Sequence, residues 1–134
     1  MRTSASRILV IDDDLDTVNL LRLVLQRAGY RVTTATAWEE VVDRLKLAEE
    51  YKEQFDLVIL DIMMPGRSGF EVMLVLQVVL HPMPPVIFLS AKCGMDDMVR
   101  ASEMGAAKYL TKPTTPDKLL AAVEDVLSKV KKII

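Results

Sequence analysis

Residues 56–66 read D-L-V-I-L-D-I-M-M-P-G, a run in which four apolar residues stop at an aspartate and a proline–glycine turn follows at 65–66. Leu57 to Leu60 shows no polar alternation. It therefore reads as a strand covered on both faces, the pattern of a parallel sheet rather than of an antiparallel sheet wetted on one side. Pro65-Gly66 marks the turn, and Ser68 with Glu71 makes a capping box that opens a helix from about Gly69 to Leu80.

The same unit recurs on both sides. Upstream, Arg7 to Ile11 is an apolar strand that stops at three aspartates. Val18, Leu21, Leu25 and Ala28 then recur at helical spacing, with Asp16 as N-cap and Gly29 at the left-handed C-terminal position. Arg31 to Ala35 is a second strand, and Thr36 with Glu39 reads as a capping box for a helix through Val41, Val42, Leu45 and Ala48 that Glu49 to Gln54 extends or ends. Downstream, prolines at 82, 84 and 85 stop the third helix, and Val86 to Leu89 is a strand that delivers Ser90. A helix over Asp96 to Met104 closes at Gly105, Lys108 to Leu110 is a short fifth strand ending at Thr111, Lys112 and Pro113, and Thr115-Pro116 opens a last helix through Leu119, Leu120, Val123 and Leu127. Five alternations of strand and helix predict a doubly wound α/β domain, whose ligand belongs outside the carboxyl ends of the strands.

Composition narrows the function. At 134 residues, 51% hydrophobic and 27% charged, the chain suits one folded domain and is far from the disordered class. A net charge of −2 without long runs of either sign gives no electrostatic reason to expect a nucleic acid or an anionic membrane as partner. One cysteine, Cys93, excludes an internal disulfide, and Met1 to Arg7 lacks the apolar core of a signal peptide, so a reducing cytoplasmic setting is expected. The apolar run Val72 to Leu80 is too short to span a bilayer.

The predicted strand ends carry Asp12, Asp13 and Asp14, then Asp61, Ser90 and Lys112. Taken singly, each has a plain reading: a helix cap, a turn aspartate, a loop serine, a surface lysine. Gathered at one rim, the carboxylates repel one another unless a cation joins them, and oxygen donors without histidine suit Mg²⁺ rather than zinc. An aspartate beside such an ion can attack a phosphoryl group while a lysine and a hydroxyl hold its oxygens.

I-L-V-I-D-D-D at 8–14, D-L-V-I-L-D-I-M-M-P-G at 56–66, V-I-F-L-S-A-K at 86–92 and G-A-A-K-Y-L-T-K-P at 105–113 together resemble the receiver (CheY-like) domain of two-component response regulators. The resemblance implies a five-stranded (βα)5 sheet of flavodoxin-like order 2-1-3-4-5, with residues 1–134 as a single receiver domain and 1–6 as a tail. It implies that Asp61 accepts a phosphoryl group from a phosphohistidine of a histidine kinase or a histidine phosphotransfer protein, that Asp13, Asp61 and the main-chain carbonyl of Met63 ligate Mg²⁺, and that Asp12 acts mainly through water. Lys112 would pair with the phosphoryl oxygens. Ser90 would swing toward the phosphoryl group while Tyr109 turns inward, and the Lys112–Pro113 peptide would be cis. Such a domain catalyses only its own phosphorylation and dephosphorylation and is a signalling module rather than an enzyme.

Some residues depart from the family pattern. Val72 to Leu80 is apolar nearly all round, which calls either for a homodimer or partner interface or for cover from the segment Glu49 to Gln54. Lys108 and Thr114 stand where one DNA-binding subclass has an aspartate and a phenylalanine, so that subclass's dimer is not implied. Met63 and Lys92 flank the phosphoryl position, and an apolar Met63 points to a long-lived phosphoaspartate. His81 reads as an exposed structural residue and Cys93 as an ordinary thiol. A rival function is a haloacid-dehalogenase-type phosphatase, whose D-x-D-x-T/V motif Asp14-Leu15-Asp16-Thr17-Val18 resembles.

Overall fold

The computed structural model describes residues 5–92 and 94–133. Strands β1 (Arg7–Ile11), β2 (Arg31–Ala35), β3 (Leu57–Leu60), β4 (Val86–Ser90) and β5 (Lys108–Thr111) alternate with helices α1 (Leu15–Arg27), α2 (Trp38–Glu50), α3 (Gly69–Val79), α4 (Met95–Glu103) and α5 (Pro116–Ile133). The strands are all parallel in the order β2-β1-β3-β4-β5, as expected.

Because alternate residues of a strand point to opposite faces, the sheet carries two cores. Leu9, Ile11, Val58, Leu60 and Phe88 pack with Val41, Phe70, Leu76 and Ala101 of α2, α3 and α4. Ile8, Val10, Leu57, Ile59 and Ile87 pack with Val18, Leu25, Leu119 and Val123 of α1 and α5. All four residues of β3 are buried, which is why its sequence shows no polar alternation.

Helix ends agree with the sequence at some positions and differ at others. Gly29 and Gly105 take positive φ angles of 98° and 91° after α1 and α4. The Ser68–Glu71 capping box is present in both directions, and the Lys118 amide N–H donates to Thr115 Oγ1 at 3.1 Å. At α1 the N-cap is Asp14 rather than Asp16: its backbone is extended and its carbonyl already accepts the Val18 N–H at 3.0 Å. At α2 the helix begins after Ala37, one residue later than a Thr36–Glu39 box requires. Glu40 takes the reciprocal part instead, its Oε1 accepting from the Thr36 N–H at 2.6 Å and the Thr36 hydroxyl at 2.8 Å. α4 starts at Met95, a residue earlier than expected.

The segment after α2 meets only the C-terminal end of α3, where Lys52, Glu53 and Gln54 share a cleft with Val79 and Leu80, and it leaves the rest of the outer face open. α2 ends at Glu50, and Leu74, Val78 and Val79 remain 53%, 74% and 46% exposed. Among the described residues no helix is long and apolar enough to cross a membrane. Cys93 lies outside the described residues, as do residues 1–4 of the expected N-terminal tail.

Candidate functional site

Strand pairing aims the site. The residue just past each strand keeps one hydrogen bond to its neighbour: Asp12 N–H donates to the Ala35 carbonyl at 3.1 Å, Asp61 N–H to Ile11 at 3.0 Å, and Lys112 N–H to Ser90 at 2.9 Å. The parallel register sets Ile11 beside Leu60 and Ser90 beside Thr111. Residues scattered over a hundred positions therefore emerge at one rim with their backbone directions fixed. Lys112–Pro113 is a cis peptide, as expected, and His81–Pro82 is a second one that was not.

Asp12, Asp13 and Asp61 each offer a carboxylate oxygen, and these atoms lie within 4.8 Å of one another. Asp12 and Asp61 are buried, at 2% and 4% exposure, and Asp13 faces solvent. Lys112 Nζ sits between the two buried carboxylates, 2.7 Å from Asp12 Oδ2 and 3.0 Å from Asp61 Oδ2. The remaining oxygens are taken by backbone: Asp12 Oδ1 accepts from Asp14 N–H at 2.9 Å, and Asp61 Oδ1 from Met63 N–H at 3.0 Å. Burial pushes the Asp12 carboxyl above its ordinary range, a shift that Lys112 and the Asp14 amide only partly offset. Burial disfavours the Lys112 ammonium as well, but Asp12 and Asp61 outweigh it and hold the lysine charged above its ordinary value. A buried like-charged pair is thus stabilised by a single shared cation.

Ser90 is fully buried, and its Oγ accepts the Lys92 N–H at 3.2 Å. The Tyr109 hydroxyl donates to the Lys92 carbonyl at 2.5 Å, and its ring packs 6.3 Å from Phe88. One residue, Lys92, therefore touches both residues expected to form the switch, Ser90 through its N–H and Tyr109 through its carbonyl. Met63 follows Asp61 with its side chain 52% exposed, and Lys92 Nζ lies 3.5 Å from Asp97 Oδ2. Over the rim lies an open cleft of about 620 Å³ bordered by Asp13, Met63, Lys92 and Arg100. A second cavity, about 420 Å³ and mostly apolar, runs from Leu20 and Val24 of α1 to Pro113 and Pro116 beside Lys112.

Several features escaped the sequence. Lys112 binds Asp12 as closely as Asp61. Arg100 lies 4.3 Å over the Phe70 ring and Arg67 4.4 Å over Trp38, pairs joined only by the fold, with no local spacing to betray them. His81 stands apart from the rim, its Nε2 2.8 Å from the Val78 carbonyl. Asp14 and Asp16 are exposed, and Asp14 Oδ2 accepts the Thr17 hydroxyl at 2.6 Å, a bond that holds its carboxyl below the ordinary range. Asp14 thus serves the start of α1.

A family model described as the response regulator receiver domain matches residues 8–124. The chain is 41% identical over 123 residues to the alkaline phosphatase synthesis transcriptional regulatory protein PhoP of Bacillus subtilis (strain 168), covering 92% of this chain and 49% of PhoP. It thus spans about half the length of that relative. A receiver domain protein (CheY-like) from Methanospirillum hungatei JF-1 superposes with a TM-score of 0.85 at 26% identity, over 98% of this chain and all of that one. A response regulator from Burkholderia pseudomallei, solved with a phosphorylated aspartic acid, a calcium ion and citrate, superposes with a TM-score of 0.76 at 30% identity, over 95% of this chain and 71% of that one. These matches overturn the reading of Asp14 and Asp16 as a haloacid-dehalogenase-type phosphatase motif.

Proposed function

The chain belongs to the response regulator receiver domain family of two-component signalling, and from this premise we propose that Asp61 is its phosphoacceptor. The observation that carries the reading is Lys112 Nζ held between the buried carboxylates of Asp12 and Asp61. An ammonium fixed there offsets the charge that a phosphoryl group would bring to Asp61.

The reaction is an in-line transfer. An Asp61 carboxylate oxygen forms a bond to phosphorus as the bond from phosphorus to the donor's imidazole nitrogen breaks, and the imidazole leaves with that electron pair. Met63 N–H, on Asp61 Oδ1, orients the nucleophile. Lys112 shifts its hold from the carboxylate toward the phosphoryl oxygens, and the Ser90 hydroxyl, now bound by Lys92 N–H, is released to donate to them. Tyr109, tied to the carbonyl of the same residue, follows that exchange.

The donor set Asp12, Asp13 and Asp61 is all oxygen, which fits Mg²⁺, and the Met63 carbonyl is assigned to the same ion. When bound, Mg²⁺ supplies charge neutralisation on the transferring oxygens. The partner is a histidine kinase or a histidine phosphotransfer protein, and the apolar cavity beside Lys112, from Leu20 to Pro116, offers it an apolar surface next to the site. The domain then works as a signalling module that turns over only its own phosphoryl group.

Intact mass after incubation with acetyl phosphate and Mg²⁺ tests the assignment. A single added phosphoryl group, dependent on metal and absent from Asp61→Asn, is the expected result. An adduct that survives in Asp61→Asn overturns it.

A further inference from the structure

α3 is the least charged helix of the domain: from Gly69 to Val79 its one ionisable residue is Glu71, in the first turn. Its inner face is filled by Phe70, Val72, Met73 and Leu76. Its outer face carries Leu74, 53% exposed, and Val78, 74% exposed, at i and i+4, with Val79 alongside at 46%. The segment after α2 reaches only the end of α3, where Val79 borders a cleft with Lys52, Glu53 and Gln54, and Leu74 and Val78 lie outside that cleft. Of the exposed leucines of α1, Leu20 borders the cavity beside Lys112. The α3 stripe is on a different helix, on the opposite side of the sheet.

The stripe is complementary to itself. Leu74 and Val78 are equally spaced in sequence about position 76, and so are Glu71, exposed at the start of the helix with its Oε1 on the Ser68 N–H, and His81, exposed just beyond the extended Leu80 that ends it. His81 is held over the last turn by its Nε2, 2.8 Å from the Val78 carbonyl. A two-fold axis outside the exposed face, at the height of Leu76 along the helix, brings two α3 helices together antiparallel. Leu74 then meets the partner's Val78 at both ends of the contact, and Glu71 faces the partner's His81. No charge has to be buried, and each acid lies opposite a base rather than another acid. A parallel pair would instead set Glu71 against itself.

We propose that the outer face of α3 is the interface of an antiparallel, two-fold dimer of this chain, with Leu74 and Val78 as its apolar centre and Glu71 paired to the partner's His81. The occupant is a second copy because the apolar spacing and the end charges obey the same two-fold relation. One helix face is smaller than the roughly 800 Å² per partner of a standard interface, so the dimer is a weak one that forms and parts with concentration.

Sedimentation velocity of the intact chain over roughly 10 μM to 1 mM, the range in which weak association is read, tests this. The weight-average sedimentation coefficient is expected to rise from monomer toward dimer. Val78→Glu, at a site exposed enough to leave the fold intact, should weaken association at least tenfold, while Val99→Glu on α4 leaves it unchanged. His81→Glu should weaken it and His81→Lys preserve it, which reports the antiparallel register. A monomer at every concentration overturns the proposal, as does a dimer indifferent to Val78→Glu; a dimer that His81→Glu strengthens overturns the register. Phosphorylation by acetyl phosphate, unchanged in Val78→Glu, shows that any loss is not misfolding.

Discussion

The backbone of Gly69 is packed against the main-chain carbonyl of Asp61 so closely that a Cβ at Gly69 would lie 2.2 Å from that oxygen and 2.8 Å from the Ile62 Cα. Both obstacles are backbone, so neither can rotate away. The Gly69 N–H also donates to the Ile62 carbonyl at 2.7 Å, which ties the start of α3 to the loop leaving the candidate phosphoacceptor. Gly69→Ala is expected to cost about 1–3 kcal/mol, as overpacking does, and to slow phosphorylation by shifting Asp61 and Met63. Gly94→Ala, whose new methyl would meet only Asp97 Oδ2 at 3.7 Å, is the control that should leave both unchanged. Chemical denaturation and acetyl phosphate labelling of the two variants check this.

Removal of the shared cation should leave Asp12 and Asp61 facing each other without compensation. Lys112→Gln is therefore expected to lower metal-free stability by roughly 1–3 kcal/mol, the range for buried groups that lose a partner. Because Lys112 occupies the oxygens that Mg²⁺ would share, the variant should also bind Mg²⁺ more tightly and gain more thermal stability from it than the wild type does. Melting curves with and without Mg²⁺ measure both. An equal Mg²⁺ shift in the two proteins would show that Lys112 and the metal do not compete.

The architecture was legible because β1, β3 and β4 are buried on both faces and therefore show continuous apolar runs, each ending at the polar residue it delivers. The cluster of Asp12, Asp13 and Asp61 was legible for the same reason: strand ends in a parallel sheet share a rim. What the sequence could not show was how partners are shared. Lys112 joins Asp12 as well as Asp61, Lys92 links Ser90 to Tyr109 through its main-chain N–H and carbonyl, and Gly69 abuts Asp61, all through distances set by packing rather than by spacing along the chain. The caps of α1 and α2 were misassigned because several acidic residues compete near each start, and backbone conformation chooses among them.

Met63 stands beside the candidate phosphoacceptor with a thioether that donates no hydrogen bond to a water molecule and accepts one only weakly. Met63→Asn supplies an amide at the mouth of the cleft and is expected to accelerate loss of the phosphoryl group several-fold. Stability should change little at a position 52% exposed. The decay of phosphorylated protein after removal of donor, followed by intact mass, gives the rate. Equal decay in the two proteins refutes the shielding role.

Stability toward acid should depend on Glu40. Its carboxylate accepts from the Thr36 amide and then the Thr36 hydroxyl, which together lower its pKa from an ordinary 4.5. A carboxylate with a depressed folded-state pKa contributes stability that is fully present above the unfolded value and is lost as pH falls through the folded one. Glu40→Gln should therefore melt below the wild type at pH 7, and the gap should narrow once the pH falls below the ordinary carboxylate range. A gap independent of pH would show that packing, not charge, accounts for the cap.

Tyr109 offers a way to separate the chemistry from its readout. The hydroxyl holds the Lys92 carbonyl while the ring packs on Phe88, so Tyr109→Phe removes the 2.5 Å hydrogen bond and keeps the ring contact. No reacting atom lies on Tyr109, and the rate of phosphorylation on Asp61 should stay near that of the wild type. The β4–α4 loop, however, loses one of the two bonds that the Lys92 main chain makes, and Ser90 keeps only its own. Phosphorylation should then move the loop less reproducibly, since a two-state element is biased only by contacts that differ between its states. Amide exchange across residues 94–104, compared with and without beryllofluoride, reads this directly. The wild type is expected to change its protection on activation and Tyr109→Phe to change less; an equal response in both would assign Tyr109 to packing alone.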